Sequence, residues 1–314
     1  MRAYTTIITT LCLLFILAAC GAGGSATTTT ENTSTNAETT TGAEGAAAST
    51  EGAYDKKVAS ISIFLTGDLM ALGIKPAATT TSDYLPITEE RYPDVEYLGF
   101  TKDPDMEALI GLQPDEIFID AEFANKLGLD KFEKIAPTHV INLDEGRWMD
   151  RVREIGKLVD REQTAEEYIA KYTDKAKQVS ELASQKLGDG TVMAVRVSAK
   201  GLRVYGTERP LGPILYEDLA FTPAKGVEAI TKNWENISKE VLPDFEADTI
   251  FVLVSAVDEG SDKVFEDLKS DPIWMGLKAV QNNQVYVLKE QPWLDYSAYG
   301  NMLALEDLEQ ILSN

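Results

Sequence analysis

One stretch, Asp160–Gly188, constrains the fold of this chain more than any other. Its apolar residues recur at the spacing of a single amphipathic helix with one buried face: Ile169, Tyr172, Ala176, Val179 and Leu182. Thr164 and Glu167 have the spacing of a capping box at the helix start, and Gly188 can end the helix in a left-handed conformation. About 24 helical residues would form a rod of about 36 Å, the width of a small domain.

The sequence before this helix is similar to the sequence after it. Met106–Ile119 and Lys239–Val252 each contain a Glu, an Asp at the same offset, and then Ile-Phe and an aliphatic residue. A short acidic helix followed by an apolar run is typical of a βα unit with a buried parallel strand. Because few positions match, chance similarity of two βα units is the alternative. Two similar lobes joined by one helix predict a cleft between them, where small ligands bind.

We therefore predict an α/β fold of two Rossmann-like βα lobes, residues 56–159 and 189–314, joined by a single long rigid helix, residues 160–188, with the ligand cleft between the lobes. The strands and helices expected in the first lobe are Val58–Phe64, Gly67–Gly73, Ile74–Ala77, Val95–Gly99, Glu116–Asp120, Thr138–Ile141 and Met149–Val159. Those expected in the second lobe are a hairpin of Thr191–Ser198 and Leu202–Tyr205, the helix Ile214–Leu219, and the strands Ile250–Ser255 and Val285–Leu288.

The amino terminus has the features of a lipoprotein signal peptide, which we place at residues 1–19. Arg2 precedes the apolar run Ile7–Ala19, which is too short to cross a bilayer. Small residues then precede Cys20, so we expect cleavage before Cys20 and attachment of a diacylglycerol to its sulfur. A plain secretory signal with a coincidental cysteine is the alternative.

Residues 20–55 are predicted to be a flexible tether that follows the lipidated cysteine. The segment is rich in Thr, Ala, Glu, Asn and Gly, and it has too few large apolar residues to fold. About 35 such residues would reach about 30 Å. The only other cysteine is Cys12, so no disulfide is expected in the folded part. The predicted location is the extracellular face of the cell membrane.

Composition excludes several classes of function. The formal net charge of −22 argues against a nucleic-acid partner and against binding to anionic lipid through the protein surface. The single histidine, His139, leaves almost no material for a metal site or a histidine-based triad. Glycine-rich phosphate or dinucleotide motifs and a G-x-S-x-G elbow are also missing. The sequence therefore does not predict an enzyme.

Arginine and aromatic side chains are the remaining candidates for ligand contacts. Alternation along Thr191–Ser198 places Val195 and Val197 on one face and Arg196 on the other. Guanidinium groups bind oxyanions and stack on flat ligands. The predicted ligand-binding residues from this pattern are Arg196, Arg203, Tyr205, Arg209, Trp293 and Tyr296. The alternative is that these arginines pair with local acids such as Glu208, Glu217 or Asp218.

The sequence resembles the ferric-siderophore-binding lipoproteins of ABC importers over nearly all of its folded part. The resemblance rests on Leu65–Pro76, Met106–Asp120, Val195–Pro213 and Asp244–Val254. It implies an iron chelate held in the cleft by arginines and aromatics, with Trp148 joining the candidates and with the iron held by the chelator. No other cofactor is expected. Relatives that bind catecholates have more basic residues in the first lobe, where only Arg91 and Arg147 are near. A hydroxamate or mixed hydroxamate–carboxylate ligand is therefore favoured.

The resemblance also implies a protein partner. In this family one glutamate on each lobe docks onto arginines of the dimeric ABC permease in the membrane. By their place in the motif these residues are Glu107 and Glu240, the pair that the internal similarity also selects. The binding protein itself is expected to be a monomer. Alternatives are the same class of protein with cobalamin or haem as ligand, and a lipid-anchored surface hydrolase or adhesin.

Overall fold

The computed structural model describes residues 53–85 and 92–314. The signal peptide, Cys20, most of the tether and Arg91 lie outside the described residues, so the predictions made for them stay predictions. Two six-stranded sheets, flanked by helices, make up the described part. The structure thus confirms an α/β fold with two sheets.

The first sheet contains strands β1 (Val58–Ile61), β2 (Ala78–Thr81), β3 (Glu96–Phe100), β4 (Asp103–Pro104), β5 (Glu116–Asp120) and β6 (Thr138–Ile141). Their order is β4-β3-β2-β1-β5-β6, and every pair is parallel except β3 with β4. The helices of this half are α1 (Ile63–Ala71), α2 (Met106–Leu112), α3 (Ala121–Leu127), α4 (Leu129–Glu133) and α5 (Trp148–Leu158).

Two predictions for the first sheet are wrong. The expected strand Val58–Phe64 ends at Ile61, because α1 begins two residues later and uses the apolar residues Ile63, Phe64 and Leu65 to bury one side of the sheet. The expected strand Ile74–Ala77 is displaced to β2, where the Thr-rich run Thr79–Thr81 is fully buried. Apolar content alone could not separate strand from helix in so short a run.

Helix α6 (Glu162–Leu187) joins the two halves and confirms the long helix predicted from the apolar spacing. The capping box is wrong. The helix already begins at Glu162, with Arg161 as its N-cap residue, so Thr164 lies inside the helix and is buried. Gly188 ends the helix with φ +74°, as glycine permits.

The second sheet contains strands β7 (Thr191–Ser198), β8 (Gly201–Tyr205), β9 (Thr222–Pro223), β10 (Trp234–Ile237), β11 (Thr249–Val254) and β12 (Val285–Leu288). Their order is β10-β8-β7-β11-β12, with β9 paired to β7. The helices are α7 (Ser261–Lys269), α8 (Pro272–Met275), α9 (Lys278–Gln281), α10 (Glu290–Trp293) and α11 (Ala298–Ser313), with shorter helical turns at Pro213–Asp218, Val227–Ala229 and Lys239–Phe245. The predicted β7–β8 hairpin is confirmed.

The internal similarity of the sequence corresponds to a similarity of topology. In the first sheet β2, β1, β5 and β6 are neighbours in that order, and β8, β7, β11 and β12 take the same places in the second. Helix α2 precedes β5, and the helical turn Lys239–Phe245 precedes β11. The buried strands β5 and β11 therefore occupy equivalent positions, as the shared Asp-x-Ile-Phe pattern predicts.

The segment before α11 returns to the first half of the chain and is held there by a buried ion pair. Asp68 and Arg151 are 0% and 2% exposed, and Arg151 Nε donates to Asp68 Oδ2 at 2.5 Å. Arg151 also donates to the Tyr296 carbonyl at 2.9 Å, and Asp68 Oδ1 accepts from the Ala298 N–H at 2.8 Å. A Cβ on Gly67 would lie 2.1 Å from Ser297 Oγ, so glycine is required there. Both charges are compensated, and both fix backbone groups of the returning segment.

We expect Arg151→Ala to destabilise the protein by about 3–5 kcal/mol, because it leaves the Asp68 carboxylate buried without its partner. The matched control is Arg153→Ala on the same helix as Arg151, which removes an exposed pair with Glu166 of α6 and should cost about 0–1 kcal/mol. Denaturant unfolding of both variants measures the difference. Equal losses of stability would show that the buried pair is no more important than the surface one.

Candidate functional site

A cavity of about 240 Å³ lies at the carboxyl ends of the parallel strands of the first sheet. Ser62 follows β1, Thr81 ends β2, and Asp120 ends β5. After β1 the chain continues to β2 on one side, and after β5 it continues to β6 on the other side, so the strand order reverses between β1 and β5. Open α/β sheets bind ligands at such switch points. The lining residues combine aromatic and charged side chains and include Phe64, Asp83, Tyr84, Phe100, Lys102, Asp120, Glu122, Phe123 and Tyr296.

Acidic side chains are built into this cavity by the local structure. Asp120 is buried at the end of β5. Its Oδ1 accepts a hydrogen bond from the Glu122 N–H at 3.0 Å, and this bond caps the start of α3. Burial raises the pKa of Asp120, and the nearby Glu122 carboxylate adds to that shift. Lys102 donates to both oxygens of Asp83 at 2.7 and 2.6 Å. Lys102, the one lysine among the described lining residues, is therefore already paired with a carboxylate.

Tyr296 connects this cavity to the second half of the chain. Its ring stacks on Phe64 with 3.9 Å between ring centroids, and the Arg209 guanidinium lies 4.5 Å from the Tyr296 centroid on the other side. Arg209 also pairs with Asp144, which follows β6. Burial raises the pKa of Tyr296. The Arg209 Nη1 atom is buried without an acceptor among the described residues. The structure thus brings together two residues that the sequence predicted for the site.

Arg196 lies near the carboxyl end of β7, on the face opposite to Val195 and Val197, as the alternation predicts. It is buried in an ion pair. Its Nε donates to Glu290 Oε1 at 2.5 Å, its Nη2 donates to Ser255 Oγ at 2.8 Å, and Glu290 Oε2 accepts from the Ala256 N–H at 2.7 Å. Arg196 pairs with an acid, as the alternative interpretation expects, but the partner is distant in sequence. A ligand contact by Arg196 stays a prediction.

Arg203 and Tyr205 lie on the same sheet face as Arg196. In the strand register Arg196 stands opposite Arg203, and Arg203 stands opposite Asn236. Residues opposite each other in neighbouring strands share a face. Tyr205 is buried in the core, and burial raises its pKa to about 12. Arg203 remains partly exposed and is the member of this row best placed to reach a ligand.

Trp234 is a candidate that the sequence analysis missed. It stands opposite Tyr205, and the Arg203 guanidinium lies 3.6 Å from its ring centroid. It is 38% exposed, whereas Trp148, Trp274 and Trp293 are 5%, 3% and 1% exposed. Its position on an edge strand, facing the same way as Arg196, follows only from strand pairing. The sequence analysis predicts no strand at Trp234, so the sequence carries no such signal.

Two of the predicted aromatic residues are buried in the structure. Trp293 is fully buried, packs near Phe251, and donates from Nε1 to Asp307 Oδ2 at 3.0 Å, so it is a core residue. Trp148 is also buried and packs edge-on against Tyr172 of α6. Its indole N–H has no acceptor among the described residues. Long-range packing covers both rings, so a ligand contact by either stays a prediction.

The other predicted residues lie away from this cavity. Glu107 and Glu240 are exposed in the first turns of α2 and of the helical turn Lys239–Phe245. His139 stacks on Phe118 at 4.6 Å, with its Nε2 3.7 Å from Glu116. Within residues 53–85 and 92–314, no three His, Cys, Asp or Glu side chains form a group that could hold a metal. No helix in the same residues has the length and apolar character to cross a membrane.

The comparison with known families gives one match that covers most of the chain. The family described as periplasmic binding protein matches residues 58–292. The probable siderophore-binding lipoprotein YfiY of Bacillus subtilis is 31% identical over 246 residues, which is 73% of each chain. The iron-uptake system-binding protein of the same organism is 29% identical over 199 residues, and this match spans 63% of the present chain and 62% of that relative.

A solved structure shares the fold. Staphylococcus aureus SirA complexed with staphyloferrin B is 27% identical, has a TM-score of 0.70, and aligns over 83% of this chain and 94% of its own. The relatives named are binding proteins by description. The similarity extends through both sheets and the helix between them.

We expect Trp234→Phe to remove most of the tryptophan fluorescence that acrylamide can quench, because the other three indoles are buried. Trp274→Phe is the matched control and should lower total emission while leaving the quenchable fraction nearly unchanged. Stern–Volmer titrations of the two variants give the result. A quenchable fraction that survives in Trp234→Phe would mean that another indole is accessible in solution.

Proposed function

The chain belongs to the periplasmic binding protein family, and we propose that within it this protein captures a ferric siderophore and delivers it to an ABC permease. No bond of the ligand is made or broken in this role. The favoured ligand is a hydroxamate or mixed hydroxamate–carboxylate chelate, in which the chelator itself holds the iron. Cys20 would carry the lipid, and residues 20–55 would tether a monomeric binding domain on the extracellular face of the membrane.

One observation carries this proposal: the cavity at the carboxyl ends of the first sheet is completed by Tyr296, over which Arg209 of the second half lies. Aromatic rings supply flat apolar surface, and guanidinium groups donate to oxygen ligands such as those around chelated iron. The unpaired Arg209 Nη1 supports the same idea, because buried donors in native proteins normally have an acceptor. An oxygen of the chelate would supply one.

These residues indicate where a bound ligand would lie. A chelate in this cavity would contact Phe64 and Tyr296, and Arg209 lies over the face of the Tyr296 ring that Phe64 leaves uncovered. Arg203 and Trp234 form a second exposed surface on the face that carries Arg196. We propose that Arg209 and Arg203 donate to the ligand, and that Arg196 contributes mainly through its buried pair with Glu290.

We expect a ferric trihydroxamate to bind the purified folded domain at submicromolar concentration and to quench its fluorescence. Iron chelates absorb in the region of tryptophan emission, so Trp234→Phe should reduce the quenching while Trp274→Phe should not. Titration with hydroxamate, citrate-type and catecholate chelates measures both effects. If none binds below about 10 μM, equivalent to about −7 kcal/mol, the siderophore proposal is wrong.

Delivery requires a surface separate from the ligand site. Glu107 and Glu240 are exposed, lie in equivalent helical turns of the two halves, and each precedes a buried central strand. Hydrogen bonds with backbone and Ser238 groups lower the pKa of Glu240, so its carboxylate stays charged. Two equivalent carboxylates match a permease dimer that presents two similar surfaces. Such charges set register and encounter rate more than affinity.

We expect the double variant Glu107→Ala, Glu240→Ala to fold normally, to bind the ferric chelate with unchanged affinity, and to abolish uptake in cells that depend on this importer. Exposed side chains of this kind contribute about 0–1 kcal/mol to folding. A double change of exposed acids elsewhere, Glu133→Ala with Glu259→Ala, controls for altered net charge. Normal uptake by the first variant would remove the docking role, and lost chelate binding would place these carboxylates in the ligand site.

A further inference from the structure

The segment that links the predicted tether to the first strand, residues 54–57, ends in two adjacent lysines, Lys56 and Lys57. No lysine or arginine lies between Arg2 and Lys56, so these are the first basic residues of a chain cleaved before Cys20. Strand β1 begins immediately after them, at Val58. A protease that cuts after basic residues would therefore separate the whole folded domain from its anchor with one cut in this junction segment.

The junction segment is held by Glu116, a buried carboxylate that has no part in ligand binding or docking. Glu116 begins β5 and is 6% exposed. The Tyr54 hydroxyl donates to Glu116 Oε2 at 2.8 Å, and Lys56 Nζ donates to Glu116 Oε1. His139 Nε2 lies 3.7 Å from the same carboxylate. Because a buried carboxylate needs hydrogen-bonding partners, Glu116 favours the conformation in which Tyr54 and Lys56 stay in place.

Tyr54 also contacts the domain through its ring. The ring is partly buried against the main apolar core, and the Arg161 guanidinium at the start of α6 lies 5.9 Å from the ring centroid. Burial, together with the hydrogen bond to Glu116, raises the pKa of Tyr54, so its hydroxyl remains a donor at neutral pH. Tyr54 therefore fixes the start of the junction segment through both apolar and polar contacts.

The backbone of Lys57 is tied to the end of the segment that leads into β5. Its N–H donates to Asp115 Oδ2 at 2.7 Å, and its carbonyl accepts from the Asp115 N–H at 2.8 Å. Lys57 Nζ donates to the Leu112 carbonyl at 3.0 Å. The peptide bonds beside the two lysines are therefore accessible to a protease only after the junction segment opens locally.

We propose that the junction segment is a conditional cleavage site for proteases that cut after basic residues, and that its contacts with Glu116 protect it. The inference rests on the proposed anchoring at Cys20. Hydrolysis after Lys56 or Lys57 consumes one water, which supplies the hydroxyl of the new lysine carboxyl group and a proton of the new amino terminus. The products are the anchored tether and a released binding domain.

Release at this place would leave the ligand cavity intact. The junction segment precedes β1 and contacts the first residue of the parallel strand β5, so it lies at the amino ends of these strands. The cavity lies at their carboxyl ends, beside Ser62 and Asp120. The structure thus separates the cleavage site from the ligand site by the length of the sheet.

The test treats cells that carry the full-length protein with trypsin and follows the protein released into the medium. We expect slow release of the natural protein, with a new amino terminus at Lys57 or Val58 by mass spectrometry. Tyr54→Phe keeps the ring and should speed release about tenfold, the change in open population expected for loss of one hydrogen bond to a charged group. Glu116→Gln should speed it at least as much.

Matched controls separate local opening from general effects of substitution. Tyr97→Phe removes the hydroxyl of an exposed tyrosine on β3, and Asp130→Asn makes the same charge change as Glu116→Gln in an exposed pair with Lys134. Neither should change the rate of release. Thermal unfolding shows whether each variant keeps the stability of its control. If Glu116→Gln does not fold, the comparison of Tyr54→Phe with Tyr97→Phe still decides the question.

The outcomes separate this inference from the proposed ligand. Equal release of Tyr54→Phe and Tyr97→Phe would overturn it, and so would new amino termini elsewhere in the domain. The released domain should bind a ferric trihydroxamate as tightly as the uncut protein, and weaker binding would contradict a cut that spares the cavity. Failure of the uncut protein to bind any chelate would contradict the siderophore proposal alone. Absence of the natural protein from the membrane fraction would contradict the anchor and the release together.

Discussion

The buried ion pair between Asp68 and Arg151 is the interaction on which the rest of the site depends. Its two charged groups satisfy each other and also bind the backbone of the segment around Tyr296. Without that anchor the Tyr296 ring would have no fixed position on Phe64, and Arg209 would have no ring to lie over. A buried pair of this kind adds little stability by comparison with an apolar core, but it is costly to break. The pair thereby fixes the position of the segment around Tyr296.

The same anchor determines how the two halves of the chain are connected. Helix α6 is one link, and the segment that leads into α11 is a second, since it leaves the second sheet and packs on α1 and α5. One continuous apolar core includes residues of α1, α6, α11 and the second sheet, such as Leu65, Tyr172, Leu305 and Phe251. Closely packed interiors resist continuous deformation. This shared core therefore opposes a large movement of the two sheets relative to each other.

Charge is arranged in this site in a way that composition does not show. The chain is strongly acidic, and Arg196 and Arg209 are each paired with one carboxylate from a distant part of the sequence. Two arginines of the cluster at 196–209 are thus neutralised in the fold, whereas Arg203 contacts the uncharged Trp234 and Asn236. In the proposed role, recognition of a ligand would depend on aromatic surface and on the guanidinium donors of Arg203 and Arg209, because Arg196 is held in its buried pair with Glu290.

Local patterns in the sequence determined much of the fold: the α6 helix, the β7–β8 hairpin, and the strands Glu116–Asp120, Thr138–Ile141 and Val285–Leu288 all follow from apolar period and turn residues. The tertiary structure alone decided the partners of the site residues. Arg196 meets Glu290 across 94 positions of sequence, Trp293 is buried by packing, and Trp234 is exposed by its place on an edge strand. Periodicity reports which face of an element is apolar, whereas ion pairing and burial depend on which elements come together.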